Sequence, residues 1–219
     1  MPLDGGMTGC HMRFRACLPG RTKEKKIMAR DFVPFNLTVC GIDELIGHCE
    51  AGVTHVLSIL DPGHPEPTAF GSYGEHERLE LRFHDVIDPY MGQILPQRAD
   101  VERILAFGRD LLAEPAGVGG LLVHCHAGIS RSTAALTMIL AQARPDRPAA
   151  EAMAAVVGIR HKAWPNLRMI EFADQILGRG GELVDAVRAR HRAYGQERPD
   201  LVQFMIDNGR VREVADLID

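Results

Sequence analysis

The chain has 219 residues, a net charge of −4 and 46% hydrophobic residues, which describes one globular domain of ordinary size with room for a sizeable core. With 29 acidic against 25 basic residues there is no electrostatic reason to expect nucleic acid as a partner, and no apolar run approaches the length of a membrane span. Cys10, Cys17, Cys40, Cys49 and Cys125 form no disulfide-framework spacing, so a reducing, cytoplasmic location is the expectation.

Residues 1–30 carry seven Lys/Arg against Asp4 and Glu24 alone, with Gly5-Gly6 and no sustained periodicity. The apolar region of a secretory signal is missing, and a disordered basic segment is expected. Asn36 to Cys40 then reads as a first strand, and Asp43 as the cap of a short helix over 44–50. Gly52 leads into a longer buried strand, Val53 to Leu60, ended by Asp61-Pro62-Gly63. Leu79, Leu81 and Phe83 alternate with Glu80, Arg82 and His84 as a half-buried strand that stops at Asp85. From Gln97 to Glu114, Val101, Ile104, Leu105, Phe107 and Leu111 mark one face of a helix.

Gly119-Gly120 bounds the apolar run Leu121-Leu122-Val123, a short buried strand, and Ser132 to Leu140 reads as a helix stopped by Pro145. Between them stands His124-Cys125-His126-Ala127-Gly128-Ile129-Ser130-Arg131. A loop entering a helix turns several backbone N–H groups inward, and the helix N-terminus adds partial positive charge. That is an anion site, suited to phosphate, sulfate or arsenate. The same field favours a thiolate on Cys125, and the planar fork of Arg131 grips two anion oxygens as lysine does not. A buried core cysteine is the bland alternative. Metal binding by His124, Cys125 and His126 is disfavoured because adjacent strand residues alternate faces. Further helices are expected at 148–157 and 166–177. Strands alternating with helices make the fold α/β, with a mainly parallel central sheet of about four to five strands flanked by helices. After Gly178-Arg179-Gly180-Gly181, read as a hinge, residues 178–219 form a helical extension of two or three short amphipathic helices. They pack back onto the domain or, alternatively, make a homodimer contact.

His124-Cys125-x5-Arg131-Ser132 resembles the signature of cysteine-dependent protein tyrosine phosphatases, and Ala127 to Ser132 is most similar to the dual-specificity branch. Pro165-Asn166, followed by Phe172 and Gln175, resembles the helix that closes that domain, and the pattern from about Asp31 to Leu177 looks like a group of bacterial predicted tyrosine phosphatases. The resemblance spans roughly two thirds of the 219 residues, with both ends outside it.

It implies hydrolysis of protein phosphotyrosine, with phosphoserine and phosphothreonine left open, through a phosphocysteine on Cys125. The phosphate lies on the loop His126, Ala127, Gly128, Ile129, Ser130 and Arg131. Ser132 helps the thiolate leave, with helix capping as its simpler role. His124 orders the loop by hydrogen bonds and Asn166 supports it. The general acid is Asp85 or Asp88, which lie 40 and 37 positions before Cys125. Asp85, directly after its strand, is the favoured of the two. Trp164-Pro165-Asn166 follows the nucleophile, and an amide has no proton to donate, so it is not the acid loop. No metal or organic cofactor is implied. The partner is a phosphorylated protein or peptide, with neither nucleic acid nor membrane. Two rivals stay open: a non-catalytic phosphotyrosine-binding module, and an arsenate reductase or redox enzyme with Cys40 or Cys49 as resolving thiol.

Overall fold

The structure is a computed structural model that describes residue 1, residues 27–113 and residues 115–218. Residues 2–26, most of the segment expected to be disordered, lie outside the described residues. Four strands, β1 (Asn36–Cys40), β2 (His55–Leu60), β3 (Glu77–Arg82) and β4 (Gly120–His124), form one parallel sheet in the order β1-β4-β2-β3. The central strands β4 and β2 are nearly continuous apolar runs because both of their faces are covered. Edge strand β3 is less covered and does not alternate cleanly: Glu77 and Arg78 are exposed, Leu79 and Glu80 half-buried, and Leu81 buried.

Among the described residues six α-helices follow: α1 (Arg98–Ala113), α2 (Arg131–Ala143), α3 (Ala149–Ile159), α4 (Leu167–Leu177), α5 (Glu182–Glu197) and α6 (Pro199–Asp207). One core joins Leu57, Ile59, Leu121 and Val123 of the sheet to Ile104 of α1, Leu136 and Ile139 of α2, Val156 of α3 and Ile170 of α4. Leu183 and Val187 of α5 belong to that same core. The other sheet face is closed without any α-helix: Val56 and Leu122 pack with Cys40, Leu45 and Phe70. Leu45 and Phe70 come from two 3₁₀ segments, Ile42–His48 and Thr68–Ser72. The first is the short helix expected over 44–50, wound as 3₁₀ and begun two residues earlier, with Gly41 and not Asp43 at its N-cap. Glu44 instead reaches back to accept from the Gly41 N–H at 2.7 Å, tightening the turn.

α2 is buried on every side from Arg131 to Ala141, which explains its small and apolar composition. Its threonines spend their hydroxyls locally: Thr133 on the Ile129 and Ser130 carbonyls, Thr137 on Thr133. The glycine run after α4 is a fastened turn and not a hinge. Gly178, Gly180 and Gly181 take positive φ, and the buried Asp174 accepts from the N–H groups of Gly181 (2.7 Å) and Leu183 (2.9 Å). Beyond it, Trp164, Tyr194, Met205 and Val214 form a third cluster, so the C-terminal helices close over the segment between α3 and α4.

Two buried histidines make this packing sensitive to pH. His191 stacks on Trp164 with centroids 4.3 Å apart and donates from Nε2 to the Pro165 carbonyl at 3.0 Å, while its Nδ1 has no partner. Burial, reinforced by Arg210, pushes it down to about 3. Burial likewise pushes His124 down to about 4. Both folded values lie below the ordinary 6.5, so the unfolded chain takes up protons first as pH falls. The stability at stake is complete above about 6.5 and is lost progressively toward pH 4, at about 2 kcal/mol for each histidine by pH 5. The melting temperature should therefore drop between pH 7 and pH 5, and His191→Phe should make that slope shallower. A wild-type melting temperature that is flat over this range would contradict the assignment.

Candidate active site

β4 ends at His124 and α2 begins at Arg131, which leaves residues 125–130 as a loop between the carboxyl edge of the sheet and a helix N-terminus. The carbonyls of residues 126–130 are engaged by neighbours outside the loop. His126 O accepts from the Ile42 N–H at 2.9 Å, and Ala127 O and Gly128 O accept from the Arg160 guanidinium at 3.0 and 2.9 Å. Ile129 O accepts from the Trp164 N–H at 2.9 Å, and Ser130 O from the Ala134 N–H at 2.9 Å. The amides of residues 126–130 have no acceptor among the described residues. With its carbonyls spent outward, the loop presents its N–H groups as a nest.

Gly128 makes that turn possible. It sits at φ +66°, and a Cβ there would stand 2.4 Å from the Cys40 carbonyl carbon, so no side chain fits. Gly41 meets the loop from the other side, where a Cβ would lie 2.8 Å from His126 O. Arg160, which holds two of the carbonyls, is itself fixed by a two-pronged pair with Glu44 at 3.0 and 2.7 Å.

Cys125 and Arg131 are both buried. Cys125 Sγ lies 3.2 Å from Ser132 Oγ, and α2 has no side-chain cap at Ser130, so Ser132 spends its hydroxyl on the sulfur and not on capping. Arg131 Nη1 donates to Asp61 Oδ1 at 2.5 Å and to Phe83 O at 2.6 Å. Its Nε is buried with no partner. An unpartnered donor on a buried cation is costly unless a ligand supplies the acceptor.

Asp85 is brought to the loop. Its Oδ1 accepts from Ser130 Oγ at 2.7 Å and from Asn166 Nδ2 at 2.9 Å, and its Oδ2 pairs with Arg210 Nη1 at 3.2 Å. Burial pushes this carboxyl up, but Arg210 and Arg131, with the Asn166 and Ser130 hydrogen bonds, bring it below the ordinary carboxylate value. Asn166 also caps α4, accepting from the Met169 N–H at 3.2 Å. Asp88 is not at the loop: Arg212 holds it at 2.9 and 3.2 Å and ties it to Glu171. His124 is buried with its ring beside Phe70, centroids 5.5 Å apart, and a hydrogen bond to the Cys125 backbone opposes the burial that lowers its proton affinity. His126 Nε2 accepts from the Asp61 N–H at 3.1 Å, and its ring meets His64 edge-on at 4.6 Å.

Two functional groups lay outside the sequence reading. In the sequence Asp61 reads only as the end of a strand, although the rule that sites form beyond the carboxyl ends of parallel strands points to it as it does to Asp85. Arg210 gave no signal, because nothing local links it to residues 85 and 130. Cys40 is a poor resolving thiol: it belongs to the core on the 3₁₀-covered face, Cys125 to the core on the helical face, and burial followed by Glu44 pushes Cys40 up to about 12. Among the described residues no group of three His, Cys, Asp or Glu side chains could hold a metal ion, and no helix is long and apolar enough to cross a membrane.

No family model matches the chain, and no curated protein is similar to it in sequence. Solved structures are similar in fold. The human tyrosine phosphatase-like serine/threonine/tyrosine-interacting protein matches 68% of this chain and 95% of its own at TM-score 0.51 and 20% identity. The structure of DUSP15 matches 71% and 92% at TM-score 0.50 and 19% identity. The PTP-2 phosphatase of Cydia pomonella matches 64% and 84% at TM-score 0.50 and 18% identity. The four-stranded parallel sheet with its flanking helices is therefore the α/β fold of the cysteine-dependent tyrosine phosphatases, in its dual-specificity-like form.

Proposed function

We propose that the protein is a cysteine-dependent phosphomonoesterase acting on phosphotyrosine in proteins or peptides. The observation that carries this reading is the loop itself: inward amides without acceptors surround Cys125, beside a buried Arg131 whose Nε is unpartnered. A phosphate group fills that demand, and a sulfur at the base of the nest is placed to attack phosphorus in line.

In the first step an S–P bond forms as the P–O bond to the leaving group breaks, and the departing oxygen takes a proton from Asp85. In the second, water attacks the phosphocysteine, Asp85 accepts its proton, and the S–P bond breaks with the Ser132 hydroxyl supporting the sulfur. Asp85 is ionised before substrate binds. A phosphate dianion entering the loop beside it raises its proton affinity, so substrate loads its own acid. An acid that is rarely protonated at neutral pH penalises alkoxide leaving groups more than phenolates, which favours phosphotyrosine over phosphoserine or phosphothreonine. For the same reason kcat/KM should decline as pH rises through neutrality.

One observation favours a second reading, a non-catalytic phosphotyrosine-binding module: Asp85 is already ion-paired to Arg210 at 3.2 Å. One of the proteins sharing the fold is named phosphatase-like and interacting. Fold alone does not decide between the two.

Phosphate release from para-nitrophenyl phosphate separates them. Turnover should be abolished by Cys125→Ser while inorganic phosphate still binds, and Arg131→Lys should also fail, because the fork is lost while the charge is kept. Wild-type protein that binds a phosphotyrosine peptide without releasing phosphate would establish the binding module instead. Asp85→Asn should lower kcat for phenyl phosphate by about 10²–10⁴-fold and much less for para-nitrophenyl phosphate, whose phenolate leaves with little help. Equal losses on both substrates would remove Asp85 from the proton-transfer role, and a larger loss in Asp88→Asn than in Asp85→Asn would transfer that role to Asp88.

A further inference from the structure

The segment after α6 reaches the site from the far end of the chain. Arg210, buried to 4% exposure, places Nη1 3.2 Å from Asp85 Oδ2 and donates from Nη2 to Ser130 Oγ at 2.9 Å. It therefore touches the candidate acid and the loop residue that also holds that acid. Arg210 is fixed in turn by Glu213, which accepts from its Nε and Nη2, each at 2.8 Å. Glu213 is equally engaged below: it accepts from Trp164 Nε1 and from the Leu167 N–H, both at 2.8 Å. Trp164 gives its own N–H to the loop carbonyl of Ile129 at 2.9 Å, and Leu167 starts the helix that Asn166 caps. A closed circuit thus runs from loop to Trp164, Glu213 and Arg210 and back to Ser130 and Asp85. Arg210 and Glu213 are buried, Asp85 is half-buried, and the one guanidinium is shared by the two carboxylates, an arrangement in which removal of one partner is felt by the rest.

We propose that Arg210 is a positioning residue for Asp85, and that docking of the C-terminal segment completes the active site. This rests on the phosphomonoesterase reading of the loop. Without Arg210 the carboxyl loses its Oδ2 partner and its strongest neighbouring cation, so it is less well aimed and holds its proton to higher pH. Arg131 keeps Asp61 and the Phe83 carbonyl, and the loop carbonyls keep the Ile42, Arg160 and Trp164 donors, so the phosphate site is left in place.

Carboxyl ¹³C NMR of the full chain reads the claim directly and needs no turnover. In wild type the Asp85 resonance should titrate below the ordinary carboxylate range; in Arg210→Met it should move upward, and in Arg210→Lys only part of the way. Because Arg210→Met leaves Glu213 buried and unmatched, R210M/E213Q, which removes both charges, keeps the test available if the single variant does not fold. An Asp85 titration unchanged in the folded variant overturns the proposal whether or not the protein is an enzyme. If wild type shows no phosphate release but Asp85 shifts as described, the positioning stands and the phosphomonoesterase reading fails. With turnover present, the variant should lose roughly tenfold or more in kcat for phenyl phosphate, with a smaller loss for para-nitrophenyl phosphate and little change in KM. The basic limb of its kcat/KM profile should move to higher pH. A uniform loss on both substrates with no movement of that limb would mean that Arg210 serves stability alone, and would overturn the proposal.

Discussion

In the turn after β4 the carbonyls of residues 126–130 are all taken by groups outside the loop, while their amides have no acceptor among the described residues. The loop between β4 and α2 is therefore shaped by what lies outside it. The Ile42 N–H, the Arg160 guanidinium and the Trp164 N–H each take a carbonyl, and Gly128 presses against the Cys40 backbone where a side chain would collide. These contacts come from the β1 edge, from the residue after α3 and from the entry to α4. The position of each surrounding element is in this sense a condition on the loop, and the unspent amides are what the fold produces there.

Charge around the loop follows the same logic. Three arginines touch it, and each is matched by a carboxylate: Arg131 with Asp61, Arg160 with Glu44, Arg210 with Asp85 and Glu213. Lysine in these places would leave acceptors unfilled, because each guanidinium serves at least two partners in fixed directions. The matching leaves one edge of Arg131 and the row of amides uncommitted, so positive potential is concentrated where a phosphate would sit and is neutralised elsewhere. Asp85 takes part in this balance on both sides, as the partner of Arg210 and as the acceptor of the Ser130 hydroxyl.

Much of this was legible in the sequence because it is local. The strand of 121–123, the glycine of the turn, the arginine at the start of a helix and the serine behind it lie within thirteen residues, and their spacing alone implies an anion nest. The parallel sheet followed from strands alternating with helices. The remainder depends on contacts between distant segments. Asp61 is 70 positions from Arg131, Glu44 is 116 from Arg160 and Arg210 is 80 from Ser130, separations over which no periodicity or spacing rule operates. The 3₁₀ segment at 42–48 escaped for a related reason: whether a short turn winds as α or 3₁₀ is decided by Glu44, which is committed to Gly41 and Arg160 together. His124 stands between Cys40 and Ser58 in the sheet and packs its ring beside Phe70, neighbours that no local pattern brings together.

Whether the nest around Cys125 is built for covalent chemistry is most directly read by trapping the intermediate. The full chain would be mixed with para-nitrophenyl phosphate, quenched rapidly in acid, digested and examined by mass spectrometry. The account predicts one phosphoryl group on the peptide containing Cys125, absent when Cys125→Ser is treated in the same way. Phosphate release without phosphorylation of that peptide, under conditions where the first turnover is resolved, would contradict it.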